Sequence, residues 1–212
     1  MQNQTFTGAT ENSYVVNGIP VGYNPNSIER SKSYQDFFDK VGNSIDSIKI
    51  FNNFLSPAQI KYFMDCSKNI EVKKFVSQKD DKGEPVTWMY AYEGIKDIFK
   101  IIEKVNDIII KSYDFKHIAP KGGLSVVKWE KGSKLNPHVD DLGYITNNNV
   151  AALIYLNDDY EGGEISFQTH DLSIKPKTGD LLIFPGNLHY AHEVKEVLSG
   201  SRYTVPIWFS VV

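Results

Sequence analysis

Cysteine is nearly absent from this 212-residue chain: Cys66 stands alone, which excludes an internal disulfide and any thiolate metal cluster. A reducing compartment suits such a chain, and a cytoplasmic or intracellular location is expected. No apolar run approaches the roughly 18 residues that a membrane-crossing helix requires. Residues 1–13 carry neither the basic nor the apolar stretch of a secretory leader. Nor is there an excess of positive charge. Lys and Arg total 23 against 26 Asp and Glu, a net charge of −3, so neither nucleic acid nor membrane is an expected partner. Arginine itself is scarce: only Arg30 and Arg202 occur among the 23 basic residues. Where the chain merely needs positive charge, it uses lysine.

What is present describes a folded domain. Hydrophobic residues at 41% and charged residues at 23% are ordinary for a globular protein, and a chain of this size hides roughly 70% of its unfolded surface. Residues 1–45, rich in Asn, Ser, Thr and Gly, read as a peripheral arm, ordered only if it docks. Within it, the segment from Tyr14 to Val21 suits a hairpin turning at Asn17-Gly18. The main domain is expected over 46–212. Its run 48–51 alternates like a strand. Ser56-Pro57-Ala58-Gln59 is a capped helix start, with Ile60, Phe63 and Met64 on the buried face. A longer helix is expected over 93–112, where Ile95, Ile98, Phe99, Ile102, Val105 and Ile109 form one apolar stripe. From residue 124 short strand-like runs follow one another, at 124–129, 150–156, 164–169, 180–184, 192–197 and 202–212. Turns such as Asp158-Asp159, Gly162-Gly163 and Ser199-Gly200 separate them. This spacing predicts a barrel or double-sheet sandwich with helices packed outside.

The chemistry begins at His138-Val139-Asp140, where strand alternation puts an imidazole and a carboxylate on one face. A third metal ligand has to come from elsewhere, and His189 and His192 are the candidates. Two histidines and one carboxylate leave the opposite face of a metal open, the arrangement of non-haem Fe(II) oxygenases. Zinc sites with three protein ligands exist too, so these residues alone do not choose the metal. Arg202 lies one tight turn beyond the 192–197 run. A guanidinium forks two hydrogen bonds to a carboxylate, which lysine cannot do. An arginine here, in a chain that prefers lysine, suggests a bidentate anion partner; the plainer alternative is a surface ion pair. His117 and His170 flank turns and are expected in solvent, and Asp141 is expected to be a turn residue. Cys66 reads as a small buried apolar group. Trp88 and Trp208 suit either core or a substrate groove.

Further pieces occur in order along the chain: Tyr155-Leu156-Asn157, Gly162-Gly163-Glu164-Ile165-Ser166-Phe167, Lys177-Thr178-Gly179-Asp180, His192-Glu193-Val194 and Gly200-Ser201-Arg202-Tyr203 with Trp208. With the His-x-Asp element, residues 48–209 resemble the prolyl 4-hydroxylase-like branch of the 2-oxoglutarate- and Fe(II)-dependent dioxygenases. The resemblance implies an α+β fold that is mainly β, a distorted double-stranded β-helix (jelly-roll, cupin-like) barrel supported by two or more N-terminal helices. In that family the distal histidine precedes the cosubstrate-binding basic residue by ten positions. Arg202 stands ten residues after His192, so the resemblance assigns the metal to His138, Asp140 and His192 and leaves His189 beside the site or at the surface.

The same resemblance implies Fe(II), 2-oxoglutarate and O2, with ascorbate as a candidate reductant. Arg202 would hold the far carboxylate of the cosubstrate, assisted by the Tyr155 hydroxyl and Thr204. Trp129 stands where many members carry a cosubstrate-bonding tyrosine, which leaves an indole N–H as the donor. Ile165 and Phe167 would form an apolar wall. The implied reaction is hydroxylation of an unactivated C–H bond, with a proline in a peptide or protein as substrate and succinate and CO2 as co-products. A free amino acid or other small molecule is an alternative substrate, and a non-catalytic metal-binding protein an alternative role. Tyr90, Tyr92, Tyr144 and Trp208 would line a peptide groove, and loops 79–86 and 142–149 would act as lids.

Overall fold

In the computed structural model, the structure describes residues 14–16, 19–21, 32–69, 72–76, 88–93, 98–115, 118–121, 125–141 and 148–211. Strands β1 (Tyr14–Val16) and β2 (Ile19–Val21) pair antiparallel as the expected hairpin. Helix α1 (Lys32–Val41) follows, inside the segment read as an arm. It is docked: Val41 is buried in the main core. The Tyr190 hydroxyl lies 3.1–3.2 Å from the carbonyls of Val41, Gly42 and Ser44, so one proton serves three acceptors at the helix end.

Strand β3 (Lys49–Phe51) leads into α2 (Pro57–Asn69). The start of α2 is a reciprocal cap. The Ser56 amide donates to Gln59 Oε1 at 2.9 Å and the Gln59 amide to Ser56 Oγ at 3.3 Å, which satisfies two amides that a helix start otherwise leaves open. Ser56→Ala should therefore cost about 1 kcal/mol in chemical denaturation, with activity untouched.

The next segment departs from the expected 93–112 helix. Residues Trp88–Glu93 form strand β5, paired with β4 (Val72–Val76), and among the described residues helix α3 covers Ile98–Tyr113. The alternating aromatics Trp88, Tyr90 and Tyr92 are strand chemistry, and pairing of β5 with the later strand β7 fixes them in a sheet. The buried stripe of α3 is Ile101, Ile102, Val105, Ile109 and Tyr113; Phe99, expected on it, is 75% exposed.

Beyond α3 come β6 (Ile118–Lys121), β7 (Ser125–Glu130), β8 (Leu135–His138), β9 (Val150–Tyr155), β10 (Glu161–Gly162), β11 (Ile165–Phe167), β12 (Leu172–Ile174), β13 (Leu181–Pro185), β14 (His192–Val194), β15 (Val197–Ser199) and β16 (Ser201–Val211). With β3, β4 and β5 they build a large antiparallel sheet in the order β3-β13-β9-β16-β7-β5-β4, with β6 also on β16, a smaller sheet in the order β12-β11-β14-β8, and a two-stranded ribbon of β10 and β15. This is the double-stranded β-helix with helices outside. Among the described residues, no helix is long and apolar enough to cross a membrane.

Alternation assigns each face of the large sheet. Val150, Ala152 and Ile154 of β9, Leu181 and Ile183 of β13, and Val205, Ile207 and Phe209 of β16 join the core shared with α2 and α3. The opposite face puts Ala151, Tyr155, Leu182 and Phe184 against Ile165 and Phe167 of the smaller sheet. On β16 the inward set is Arg202, Thr204, Pro206 and Trp208. Proline within a long strand is tolerated here for a specific reason: β7 pairs with residues 201–204 and β6 with 208–211, so among the described residues Pro206 is paired on the β9 side alone.

Candidate active site

The register of the smaller sheet brings the two histidines side by side. His192, first residue of β14, pairs with His138, last residue of β8, and their ring centroids are 4.3 Å apart. Between His192 and Val194 the opposing strand advances from His138 to Leu135, an extra residue of the kind that re-aims side chains at a functional rim. The same bulge and sheet edge accommodate Pro137. Strand β8 ends at His138, so Asp140 sits just beyond it, not within a continuous strand as the tripeptide suggests.

His138, Asp140 and His192 each present one ligand atom, all within 4.8 Å of one another. Asp140 Oδ1 lies 3.7 Å from His138 Nε2, and Oδ2 lies 3.8 Å from His192 Nε2. These spans are too long for hydrogen bonds, yet one ion at about 2.1 Å from each atom could touch all three. The tautomers agree with that. His138 Nδ1 is 2.9 Å from the Asn136 carbonyl and His192 Nδ1 is 3.0 Å from the Tyr190 carbonyl. A carbonyl only accepts, so both Nδ1 atoms carry the proton and both Nε2 lone pairs are left for a metal. Burial, with His138 close by, pushes the His192 pKa down to about 4 although Asp140 opposes the shift, so the ring is neutral. Phe184 packs on it edge-to-face at 4.7 Å and Phe167 lies at 5.7 Å. The donor set fits a divalent ion.

Arg202 enters the same cavity, of about 330 Å³, whose walls include His138, Asp140, His192, Trp129 and Thr204. Its side chain is 1% exposed. The guanidinium lies between two rings, 5.2 Å from the Trp129 centroid and 5.0 Å from that of Tyr155, and donates to the Tyr155 hydroxyl at 3.2 Å. Arg202 Nε and Trp129 Nε1 are buried donors without a partner among the described residues. A buried cation ringed by open donors fits an incoming carboxylate. Asn157 holds the anchor in place from both sides. Its Nδ2 donates to the Ser201 carbonyl at 2.7 Å and its Oδ1 accepts from the Tyr203 amide at 2.8 Å, bracketing Arg202.

Other expectations fare differently. Asp141, read as a turn residue, is fully buried: its carboxylate accepts from Asn149 Nδ2 at 3.1 Å, and Asn149 Oδ1 accepts from the Val211 amide at 2.8 Å. This chain of bonds ties the segment after Asp140 to the last strand. His170, expected in solvent, is half-buried and stacks on Tyr190 at 5.0 Å, because β11 ends in a 3-10 turn that packs against residues 188–190. His189 lies 5.3 Å from the Phe38 ring of α1, away from the ligand cluster. Cys66 packs at the edge of the main core. Trp208 lines the cavity. His117, Tyr144, loop 79–86 and residues 142–147, as well as the side chains of Trp88, Tyr90 and Tyr92, lie outside the described residues.

Gly186 directly follows β13. A Cβ there would stand 2.1 Å from the Asn148 carbonyl oxygen and 3.2 Å from Asp140 Cβ. Gly186→Ala should cost about 2–3 kcal/mol through overpacking and weaken metal binding in a direct titration, because relief requires the Asp140 segment to move.

A jelly-roll barrel that holds two histidines, a carboxylate and a buried arginine in one cavity is the arrangement of non-haem iron oxygenases. Residues 124–210 match the model of the 2OG-Fe(II) oxygenase superfamily. Fe(II) and 2-oxoglutarate are the metal and cosubstrate that the superfamily and the His-x-Asp…His set imply. Among curated relatives, human prolyl 3-hydroxylase 2 is 42% identical over 66 residues, 29% of this chain and 9% of that protein. Prolyl 4-hydroxylase 5 of Arabidopsis thaliana is 24% identical over 203 residues, 76% of this chain and 67% of that protein. The chain thus spans under a tenth of the first relative and about two thirds of the second. Among solved structures, the viral collagen prolyl hydroxylase of Paramecium bursaria Chlorella virus-1 shares the fold with a TM-score of 0.59 at 18% identity, covering 78% of this chain and 96% of that one. A Trichoplax adhaerens prolyl hydroxylase, solved with a hypoxia-inducible-factor peptide, gives 0.60 at 18% identity over 85% and 91% of the two chains.

Proposed function

We propose that this protein is an Fe(II)- and 2-oxoglutarate-dependent hydroxylase whose primary substrate is a prolyl residue in a peptide or protein. One observation carries the reading: the open-faced ligand cluster and a buried guanidinium without a carboxylate partner among the described residues share one cavity. His138, Asp140 and His192 hold the iron. Arg202 would hold the far carboxylate of 2-oxoglutarate, with Tyr155 fixing the guanidinium through its hydroxyl and Thr204 and the Trp129 indole N–H available as further donors. The iron and its cosubstrate supply oxygen activation, in which 2-oxoglutarate and O2 become succinate and CO2 and one oxygen atom enters a substrate C–H bond.

The chain's own contribution is placement and exclusion of water. The two Nδ1–H bonds to carbonyls hold the imidazoles as neutral ligands. Phe167, Phe184 and Ile165 keep that side dry, while Leu153, Pro206 and Trp208 offer an apolar wall suited to a pyrrolidine ring. Prolyl specificity is supported by the relatives' names. The test is to incubate the protein with Fe(II), ascorbate, 2-oxoglutarate and a library of proline-containing peptides, measuring succinate and peptide mass. The expected result is succinate coupled to the gain of one oxygen atom on proline. No succinate above a His138→Ala control would overturn the reading, and oxidation confined to free amino acids would overturn its prolyl part.

A further inference from the structure

His192 takes its aim from a carbonyl outside the β-ladders. Its Nδ1 bonds the Tyr190 carbonyl at 3.0 Å, and Tyr190 ends the single 3-10 turn Leu188–Tyr190 that precedes β14. A turn this short depends on outside contacts for its shape. Asn187 caps its start, Oδ1 accepting from the His189 amide at 3.0 Å, and Thr169 Oγ1 donates to the His189 carbonyl at 2.5 Å. The third anchor is Tyr190 itself, a fully buried ring stacked on His170. The last carbonyls of a helix have no partner within it, and buried ones need a donor. At the end of α1, closed by Gly42 at φ +51°, the Tyr190 hydroxyl is that donor, 3.1–3.2 Å from the carbonyls of Val41, Gly42 and Ser44. One residue therefore joins two places: its hydroxyl ends on the N-terminal helix, and its carbonyl on a metal ligand.

We infer that Tyr190 is a positioning residue for the metal centre, and that through it the docking of α1 sets the orientation of the His192 imidazole. This rests on the three-ligand reading above. When the hydroxyl loses its acceptors, the 188–190 turn loses an anchor, the Tyr190 carbonyl shifts, and the bond that turns His192 Nε2 toward Asp140 weakens with it. His138 is insulated from the same effect, because its carbonyl partner, Asn136, lies within its own paired strand β8. The two histidines thus differ: one is fixed by the sheet, the other by an element about 150 residues earlier in the chain. Phe38 of α1 also meets His189, at 5.3 Å, but that contact ends on a side chain and carries no bond to His192. Coupling between two sites is reciprocal, so metal binding should hold α1 in place as much as α1 holds the ligand.

The experiment titrates Co(II) into the parent, Tyr190→Phe and Tyr113→Phe, without cosubstrate or turnover. Calorimetry reads affinity, and the visible Co(II) spectrum reads the arrangement of ligands. Tyr113→Phe is the matched control: it deletes a buried hydroxyl that donates to the Ser47 carbonyl at 2.7 Å, in the same connection after α1, with no bond to the 188–192 segment among the described residues. Tyr190→Phe should weaken Co(II) about tenfold, the cost of disturbing a partner that orients a metal ligand, and alter the spectrum. Tyr113→Phe should change affinity by less than about twofold, although both variants melt lower than the parent. Hydrogen exchange gives the reciprocal readout and needs no variant: Co(II) should slow exchange in α1 of the parent about tenfold. Equal weakening by both variants, an unchanged affinity and spectrum in Tyr190→Phe, or α1 exchange that ignores Co(II) would overturn the assignment. A parent protein that binds Co(II) no better than His138→Ala would sink the three-ligand reading and this assignment with it, a result distinguishable from failure of the Tyr190 link alone.

Discussion

His192→Ala is expected to lower metal affinity and 2-oxoglutarate turnover by about a thousandfold or more, near 4 kcal/mol, while leaving the fold intact. The ring is buried, neutral and held by a single hydrogen bond to the Tyr190 carbonyl. Its removal deletes one of three ligand atoms and opens a space beside Phe167 and Phe184. His138→Ala and Asp140→Ala should behave alike, because a three-atom grip that loses any member leaves the ion two contacts. Direct metal titration, with far-ultraviolet dichroism as a check on folding, separates this from general damage. A His189→Ala variant, altered at the imidazole that packs on Phe38, should retain metal affinity within about threefold, well inside the cost of even an indirect metal partner.

Replacing Arg202 should separate binding from stability in opposite directions. Arg202→Met removes a buried cation that has no acidic partner among the described residues and leaves an apolar group of similar length. Such exchanges are neutral or stabilising by about 1–4 kcal/mol, so the ligand-free melting temperature should hold or rise. Binding of 2-oxoglutarate should fall by about a hundredfold or more, since both arms of a charge-assisted fork are lost. Arg202→Lys restores the charge but not the fork, and should recover only part of the affinity. Calorimetry with differential scanning on each variant reads both quantities.

Much of this was legible in the sequence because it depends on local rules. The cap at Ser56 is a four-residue signal, and the inward alternation of β16 follows from its period of two. Other features depend on contacts distant in the chain. Strand β5 exists because β7 pairs with it, and the helical spacing that begins at Ile95 disguised the strand before it. Helix α1 holds through the Tyr190 hydroxyl, 146 to 149 residues away in sequence. Asp141 looks like any turn aspartate until Asn149 is placed beside it. Gly186 matters for what it approaches, the Asn148 carbonyl and Asp140, and no local pattern announces that approach. The ligand cluster itself was readable only because the His-x-Asp element and His192 stand at characteristic spacing around an arginine in a lysine-rich chain.

A crystal of the Mn(II)- and 2-oxoglutarate-soaked protein, measured at the manganese absorption edge, tests the central claim most directly. The expected result is a single strong anomalous peak touching His138 Nε2, an Asp140 oxygen and His192 Nε2, with the far carboxylate of 2-oxoglutarate on the Arg202 guanidinium. Manganese bound elsewhere, or 2-oxoglutarate held without Arg202, would contradict it.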